Sequence, residues 1–267
     1  MNSMNAPSPT VQFDAAFGLI GKDLTWLPWV GARFPARQQH QRLLIVGQSH
    51  YYKGATPEAR EQNRASYADP NSTREVVEEY GYGTKTWCAI PRLLFQTAEI
   101  DHARFWEDVA YYNFAQKVMD QNSGQNPDAK DYTDGWLLFP RIMQVLQPSH
   151  CLFIGTTAAR YFDQTVRAQG LTADPVNWPQ KVGRYWAARA KLTTDGHSAE
   201  LIFVRHLGKF FSHSSWHSYL CSQHQELMTW LRDERYDNPS TSSSQTAPSA
   251  SGISLPFSNH NSQPSSG

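Results

Sequence analysis

Cysteine is scarce and scattered in this chain. Cys88, Cys151 and Cys221 are its three cysteines, and no C-x-x-C pair occurs, which excludes a disulfide framework, a zinc knuckle and a four-cysteine iron–sulfur cluster. Net charge is lacking as well. Lys and Arg number 24 and Asp and Glu number 24, so the field of the whole molecule does not draw in a polyanion. No apolar run approaches the roughly 18 residues that span a bilayer. The opening MNSMNAPSPT has neither a basic segment nor the apolar run of a secretion signal. These absences lead us to expect a soluble protein of a reducing cytoplasm, without a membrane partner.

What is present is enough apolar material for one sizeable core. The chain has 267 residues, 40% of them hydrophobic and 13% aromatic, and its tryptophans are expected to pack that core rather than stack on ligands. From Asp237 the composition turns to Ser, Thr, Pro, Gln and Asn. Such a segment cannot bury enough surface to offset its ordering entropy, so residues 237–267 are expected to be a disordered tail after one α/β domain, 1–236. Charge is also unevenly distributed. Residues 99–134 hold eight acids against three bases, whereas residues 141–221 hold nine bases against four acids, a polarity that suits a molecule with one DNA-facing side and equally an ordinary solvated surface.

Four short apolar runs stand out: Leu43 to Val46, Val109 to Tyr112, Cys151 to Ile154 and Leu201 to Val204. Runs of this length and continuity suit strands buried on both faces. Helix-like stretches at 86–98, 134–147 and 156–169 separate them, and a last helix is expected at 215–233. The alternation predicts an α/β fold, a three-layer α/β/α sandwich around a central four-stranded parallel sheet.

Ligands of such sheets bind outside the carboxyl ends of the strands. The residues just after the runs are Gly47-Gln48-Ser49-His50-Tyr51-Tyr52, Asn113-Phe114-Ala115-Gln116, Gly155-Thr156-Thr157 and Arg205-His206-Leu207-Gly208-Lys209-Phe210-Phe211-Ser212. Gly47 allows a turn without a Cβ, after which the amides of Gln48 and Ser49 could serve as donors. Asn113 offers paired donor and acceptor groups to a base edge, or simply forms a turn. His206 could donate to an oxygen that gains negative charge, or serve as a structural histidine.

Taken together, these segments resemble the uracil-DNA glycosylase superfamily. LLIVGQSHYY resembles its first motif, a strand followed by Gly-Gln-Asp-Pro-Tyr-His, and RHLGKFFS resembles its second, a strand followed by His-Pro-Ser and a loop that enters the minor groove. Asn113 in VAYYNF stands where the family keeps a base-reading asparagine. The resemblance implies that Gln48 and its neighbouring amides bind the O2 side of a pyrimidine and that Tyr51 packs against its C5. It further implies that Asn113 reads the base edge and that His206 stabilises the departing anionic base. Lys209 would hold phosphate or, with Phe210 or Phe211, fill the gap in the stack. An aromatic of Tyr80-Gly81-Tyr82 is a candidate to stack on the flipped base.

The chain departs from the family at the water-activating Asp, here Ser49, and at the Pro, here His50. A hydroxyl cannot act as a carboxylate base at neutral pH, so catalysis is expected to rest on leaving-group stabilisation by His206, with Ser49 and His50 at the water site and His50 positioning the water. The expected activity is removal of a modified pyrimidine from DNA, with hypermodified cytosine of phage DNA as one substrate and uracil as the other. A silent DNA- or nucleotide-binding module is the reading from a different class. His213 and His217 are four apart but lack the Glu of an H-E-x-x-H motif, and no Gly-x-Ser-x-Gly elbow supports an esterase. The protein is expected to use no metal or cofactor and to act on DNA as a monomer.

Overall fold

The computed structural model describes residues 6–80, 88–208, 210–234 and 236, with Tyr80 described by its backbone alone. The chain begins with helix α1 (Asp14–Gly18), strands β1 (Trp29–Val30), β2 (Leu43–Gly47) and β3 (Tyr51–Tyr52), and helices α2 (Pro57–Ala65), α3 (Ser72–Tyr80), α4 (Ala89–Phe95) and α5 (His102–Asp108). Strands β4 (Ala110–Asn113) and β5 (Met119–Asp120), helix α6 (Ala129–Leu146), strand β6 (His150–Ile154) and helix α7 (Ala159–Ala168) follow. Then come strands β7 (Thr172–Asn177), β8 (Lys181–Val182), β9 (Tyr185–Trp186), β10 (Ala188–Thr194) and β11 (His197–Val204), and helices α8 (His213–Gln223) and α9 (Gln225–Asp233).

The central sheet has seven strands in the order β1-β4-β2-β6-β11-β10-β7, not the four expected. The four expected runs form its parallel centre, with Gly47 opposite Asn113, Val46 opposite Phe153 and Val204 opposite Ile154. Three antiparallel strands extend it. β1 has only two residues, and β7 is largely exposed, so neither shows a buried apolar run. β10 joins β11 through Asp195-Gly196, both with positive φ (48° and 77°), which is the backbone of a two-residue hairpin whose twist matches its strands.

Strand alternation divides the interior into two apolar layers. Leu44, Val46, Cys151, Phe153, Leu201 and Phe203 face Trp136 and Phe139 of α6 and Phe162 of α7. Leu43, Ile45, Leu152, Ile154, Ile202 and Val204 face α4, α5, α8 and α9. Trp136 anchors the first layer, with its ring 4.8 Å from both Phe114 and Phe162 and its Nε1 donating to the Ala158 carbonyl at 2.8 Å. Truncating such a buried aromatic typically costs about 3–5 kcal/mol.

Helix boundaries moved for local reasons. α6 starts five residues earlier than the pattern predicts, at a capping box in which Asp128 and Asp131 each accept the other's backbone N–H at 3.0 Å. The helix expected over 215–233 is two helices. His224 breaks it with φ −131° and ψ 53° and turns inward, its Nδ1 donating to Glu200 at 3.0 Å.

Two clasps hold the periphery. Asp108 is fully buried and bonded by Arg33, Arg37 and the Tyr236 hydroxyl, while Arg37 also pairs with Glu234, so the last described residues close onto the amino-terminal part of the chain. In the insertion after Lys53, buried Arg74 bonds the Pro28 carbonyl at 3.1 Å and pairs with Asp14. The expected tail, 237–267, lies outside the described residues, as do Lys209, Gly81 and Tyr82. Among the described residues, no helix is long and apolar enough to cross a membrane.

Candidate functional site

Because β4, β2, β6 and β11 are parallel, their exits lie along one edge of the sheet in the order Asn113, Gly47, Ile154, Val204. At the usual strand spacing, roughly 14 Å separates the first exit from the last. Gly155 turns the third exit with φ 137°, and its N–H donates to the Val204 carbonyl at 2.9 Å.

The first two exits are built as one piece. Asn113 is buried, and its Oδ1 accepts the Tyr111 hydroxyl at 3.0 Å. Gly47 makes this possible, since a Cβ there would lie 2.6 Å from Asn113 Oδ1 and still closer to the Tyr111 oxygen. Beyond the strands, Phe114 N–H donates to Gly47 O, Ala115 N–H to Gln48 O and Met119 N–H to His50 O, each within 3.0 Å, and β3 then pairs with β5. Gln116 adds a clamp. Its Nε2 donates to the Asn113 carbonyl at 2.6 Å, and its Oε1 accepts from the amides of Thr25 and Trp26.

Gln48 sits in a hydroxyl network. Its Oε1 accepts from Tyr51 at 3.0 Å, and its Nε2 donates to Tyr132 at 2.8 Å. The Tyr132 ring stacks on Tyr161 with centroids 5.3 Å apart. Burial, with Tyr132 nearby, pushes the Tyr51 hydroxyl up to about 12, and burial raises Tyr111 above its ordinary range, so both remain protonated donors at neutral pH.

Two expected site residues are engaged elsewhere. Ser49 Oγ donates to the Lys117 carbonyl. His50, expected to position a water, is only 5% exposed, lies 4.6 Å from the Trp26 ring and 4.9 Å from that of Tyr67, and has its Nε2 2.8 Å from the Thr73 hydroxyl. Burial lowers it to about 4, so it is a neutral ring that ties the first turn to α3. That surrounding fits packing rather than water positioning.

At the fourth exit His206 is exposed, and desolvation together with the Arg205 charge lowers it below the ordinary histidine value, which leaves a neutral imidazole at pH 7. Arg205 organises the loop that follows. Its Nη1 donates to the Phe210 carbonyl at 2.7 Å, and its guanidinium lies 3.8 Å from the Tyr185 ring centroid. Phe210 is 75% exposed and takes φ 65°, a backbone region that bulky residues adopt only when their surroundings impose it. Phe211 instead lies flat on Trp216, 5.9 Å away. Of the two aromatics proposed to project, Phe210 does so and Phe211 does not.

The edge therefore carries a fixed, buried carboxamide and a glycine-led turn at its first two exits and a neutral imidazole three strand spacings from the carboxamide, groups that can each meet the edge of a planar heterocycle or donate to an oxygen that becomes anionic. Tyr111 and Tyr132 are supporting residues that the sequence pattern did not single out, and Gln116 and Arg205 stand in the strand-exit segments with roles that only the folded contacts reveal. Tyr111 was within reach of that pattern, because it lies two residues from Asn113 on the same strand face. A groove of about 720 Å³ between α4, α8 and α9, lined by Phe95, His217, Cys221 and Met228, contains none of the strand-exit residues.

Compared with protein-family models and with curated proteins, the chain matches none.

Proposed function

We propose that the protein is a DNA glycosylase resembling the uracil-DNA glycosylase superfamily, a three-layer sandwich that everts a modified pyrimidine and hydrolyses its N-glycosidic bond. The supporting observation is that the four parallel exits bring Gly47, Asn113 and His206 to one edge of the sheet. Extrusion of the nucleotide costs a few kcal/mol of stacking and pairing. Asn113 reads the base edge while Tyr111 restrains its amide. The Gln48 carboxamide is held by Tyr51 and Tyr132, which leaves the backbone of this turn, rather than the side chain, to meet the O2 side.

As the bond from C1′ to the base breaks, its electron pair passes to the base, and His206 donates to the oxygen that gains charge. Water then adds to C1′ and gives its proton to solvent, leaving an abasic site. No carboxylate lies between Gly47 and Lys53, so the rate depends on stabilising the leaving group. Hypermodified cytosine of phage DNA is the substrate class we favour, with base excision serving antiviral defence. Uracil excision in repair is the second substrate reading.

Ser49 supports a third reading. Its hydroxyl is committed to the Lys117 carbonyl, where the family has a carboxylate, as in a pocket that binds without cutting. Duplex and single-stranded oligonucleotides carrying uracil, hydroxymethylcytosine or its glucosylated form separate the three. Alkali-labile sites on a modified-cytosine strand, absent for His206→Ala, support the proposal. Sites on uracil alone select the repair enzyme, and binding with no alkali-labile site selects the silent module.

A further inference from the structure

The hairpin formed by β8 and β9 meets the fourth exit through Tyr185, the ring under Arg205. It turns at Gly183 (φ 63°) and exposes Lys181, Arg184 and Trp186. Between Asp174 and Asp195 the chain has no acidic residue but holds Lys181, Arg184, Arg189 and Lys191. Among the described residues, neither Lys181 nor Arg184 makes an ion pair. Both are held against rings instead. Lys181 Nζ is 5.3 Å from the Trp186 centroid, and Arg184 sits 5.2 Å from the Tyr185 centroid with its Nε donating to the Tyr185 hydroxyl at 2.9 Å. A cation fixed on an aromatic face loses less freedom on meeting an anion than one at the end of a mobile side chain.

The hairpin is also tied to the loop at the fourth exit. Arg205 covers Tyr185 from that side while bonding the Phe210 carbonyl, so ring, guanidinium and exposed Phe210 form one unit. A groove of about 530 Å³ runs between them, lined by Arg184, Tyr185, Arg205, Phe210 and Ser215. Two guanidinium groups, three aromatic side chains (Tyr185, Phe210 and Trp216) and, among the described residues, no carboxylate line it, the chemistry that receives a phosphodiester backbone with its sugars and bases.

We infer that the hairpin Lys181–Trp186 is a second DNA-gripping element, holding backbone phosphates next to the nucleotide that is turned out at the sheet edge. The inference rests on the DNA reading above, and it identifies the strand beside Phe210 as the one held.

Fluorescence anisotropy with a labelled unmodified duplex, titrated at several salt concentrations, tests it with wild type, Lys181→Gln/Arg184→Gln and Trp186→Ala. All three positions are exposed, so circular dichroism and melting should match wild type. The double variant is expected to bind roughly 10-fold more weakly, with a slope of log K against log salt shallower by about 2, the counterions of two lost phosphate contacts. Trp186→Ala should lose affinity with little change in slope. A double variant with unchanged affinity and slope overturns the inference and leaves the glycosylase reading intact. Failure of wild type to bind any DNA overturns both. Variant-sensitive binding to vesicles of anionic phospholipid, with DNA affinity unchanged, would overturn it in favour of a lipid surface.

Discussion

The Tyr111 hydroxyl donates to Asn113 Oδ1 at 3.0 Å across one face of β4, and Gly47 on the adjacent strand leaves the space in which that bond forms. The three residues are therefore one device, and each should fail in its own way. Tyr111→Phe leaves a buried acceptor unmet and should cost about 1–3 kcal/mol in urea denaturation. Gly47→Ala overpacks the same point and should cost a similar amount. If base release is assayed, Tyr111→Phe should blur the choice between uracil and cytosine derivatives more than it slows the reaction.

His206→Ala should lower the rate of base release about 10²- to 10³-fold in single-turnover assays, with binding of the same oligonucleotide nearly unchanged. Equal losses in binding and rate would assign His206 to positioning the strand.

Phe210→Ala should slow base release from duplex by about 10-fold and leave single-stranded substrate nearly unaffected, because only the duplex has a stack to be held open. Equal effects on both substrates would show that the ring acts on the base itself.

Acid should weaken the fold through His50. Its value of about 4 lies below the 6.5 of an exposed histidine, so the unfolded chain takes up the proton first. Stability is complete above pH 6.5 and declines as pH falls toward 4, by up to about 3 kcal/mol from this residue. Buried His150 is shifted in the same direction. Urea midpoints at both ends of that window should show a shallower decline for His50→Gln, which keeps a partner for Thr73. An identical decline would show that the titrating groups lie elsewhere.

Asp108→Asn removes the buried carboxylate from Arg33 and Arg37 and leaves Arg37 with Glu234 alone, so it should cost about 2–3 kcal/mol, whereas Tyr236→Phe should cost only about 1 kcal/mol. Thermal melts of the two variants test the difference.

The parallel centre of the sheet was legible because Leu43 to Val46, Cys151 to Ile154 and Leu201 to Val204 are apolar on both faces. β4 was read one residue early, and the structure places Asn113 inside the strand, where its partner Tyr111 holds it. The hairpin signal at Asp195-Gly196 was present but went unread, and with it β10, whose burial alternates along the strand. β1 and β7 carry no comparable signal, as one is too short and the other too exposed. At the sheet edge, the residues just after the apolar runs predicted where Asn113 and His206 lie, at the ends of parallel strands. The packing of His50 could not be read from the sequence, because its partners Trp26, Tyr67 and Thr73 come from segments that only the folded chain brings together.

Hydrogen bonds beyond the strand ends are divided unequally around the sheet edge. The segments leaving β2 and β4 continue side by side through successive carbonyl bonds into the β3–β5 pair, and Gln116 fastens them to Thr25 and Trp26. On the proposed reading, accommodation of a bulky group on a base would fall to the opposite lip, where β6 gives way to Gly155 and β11 to the Arg205 loop. If the protein acts on DNA as proposed, selectivity for decorated over plain pyrimidines would be tuned there, and recognition of the ring itself would stay with the more heavily bonded lip.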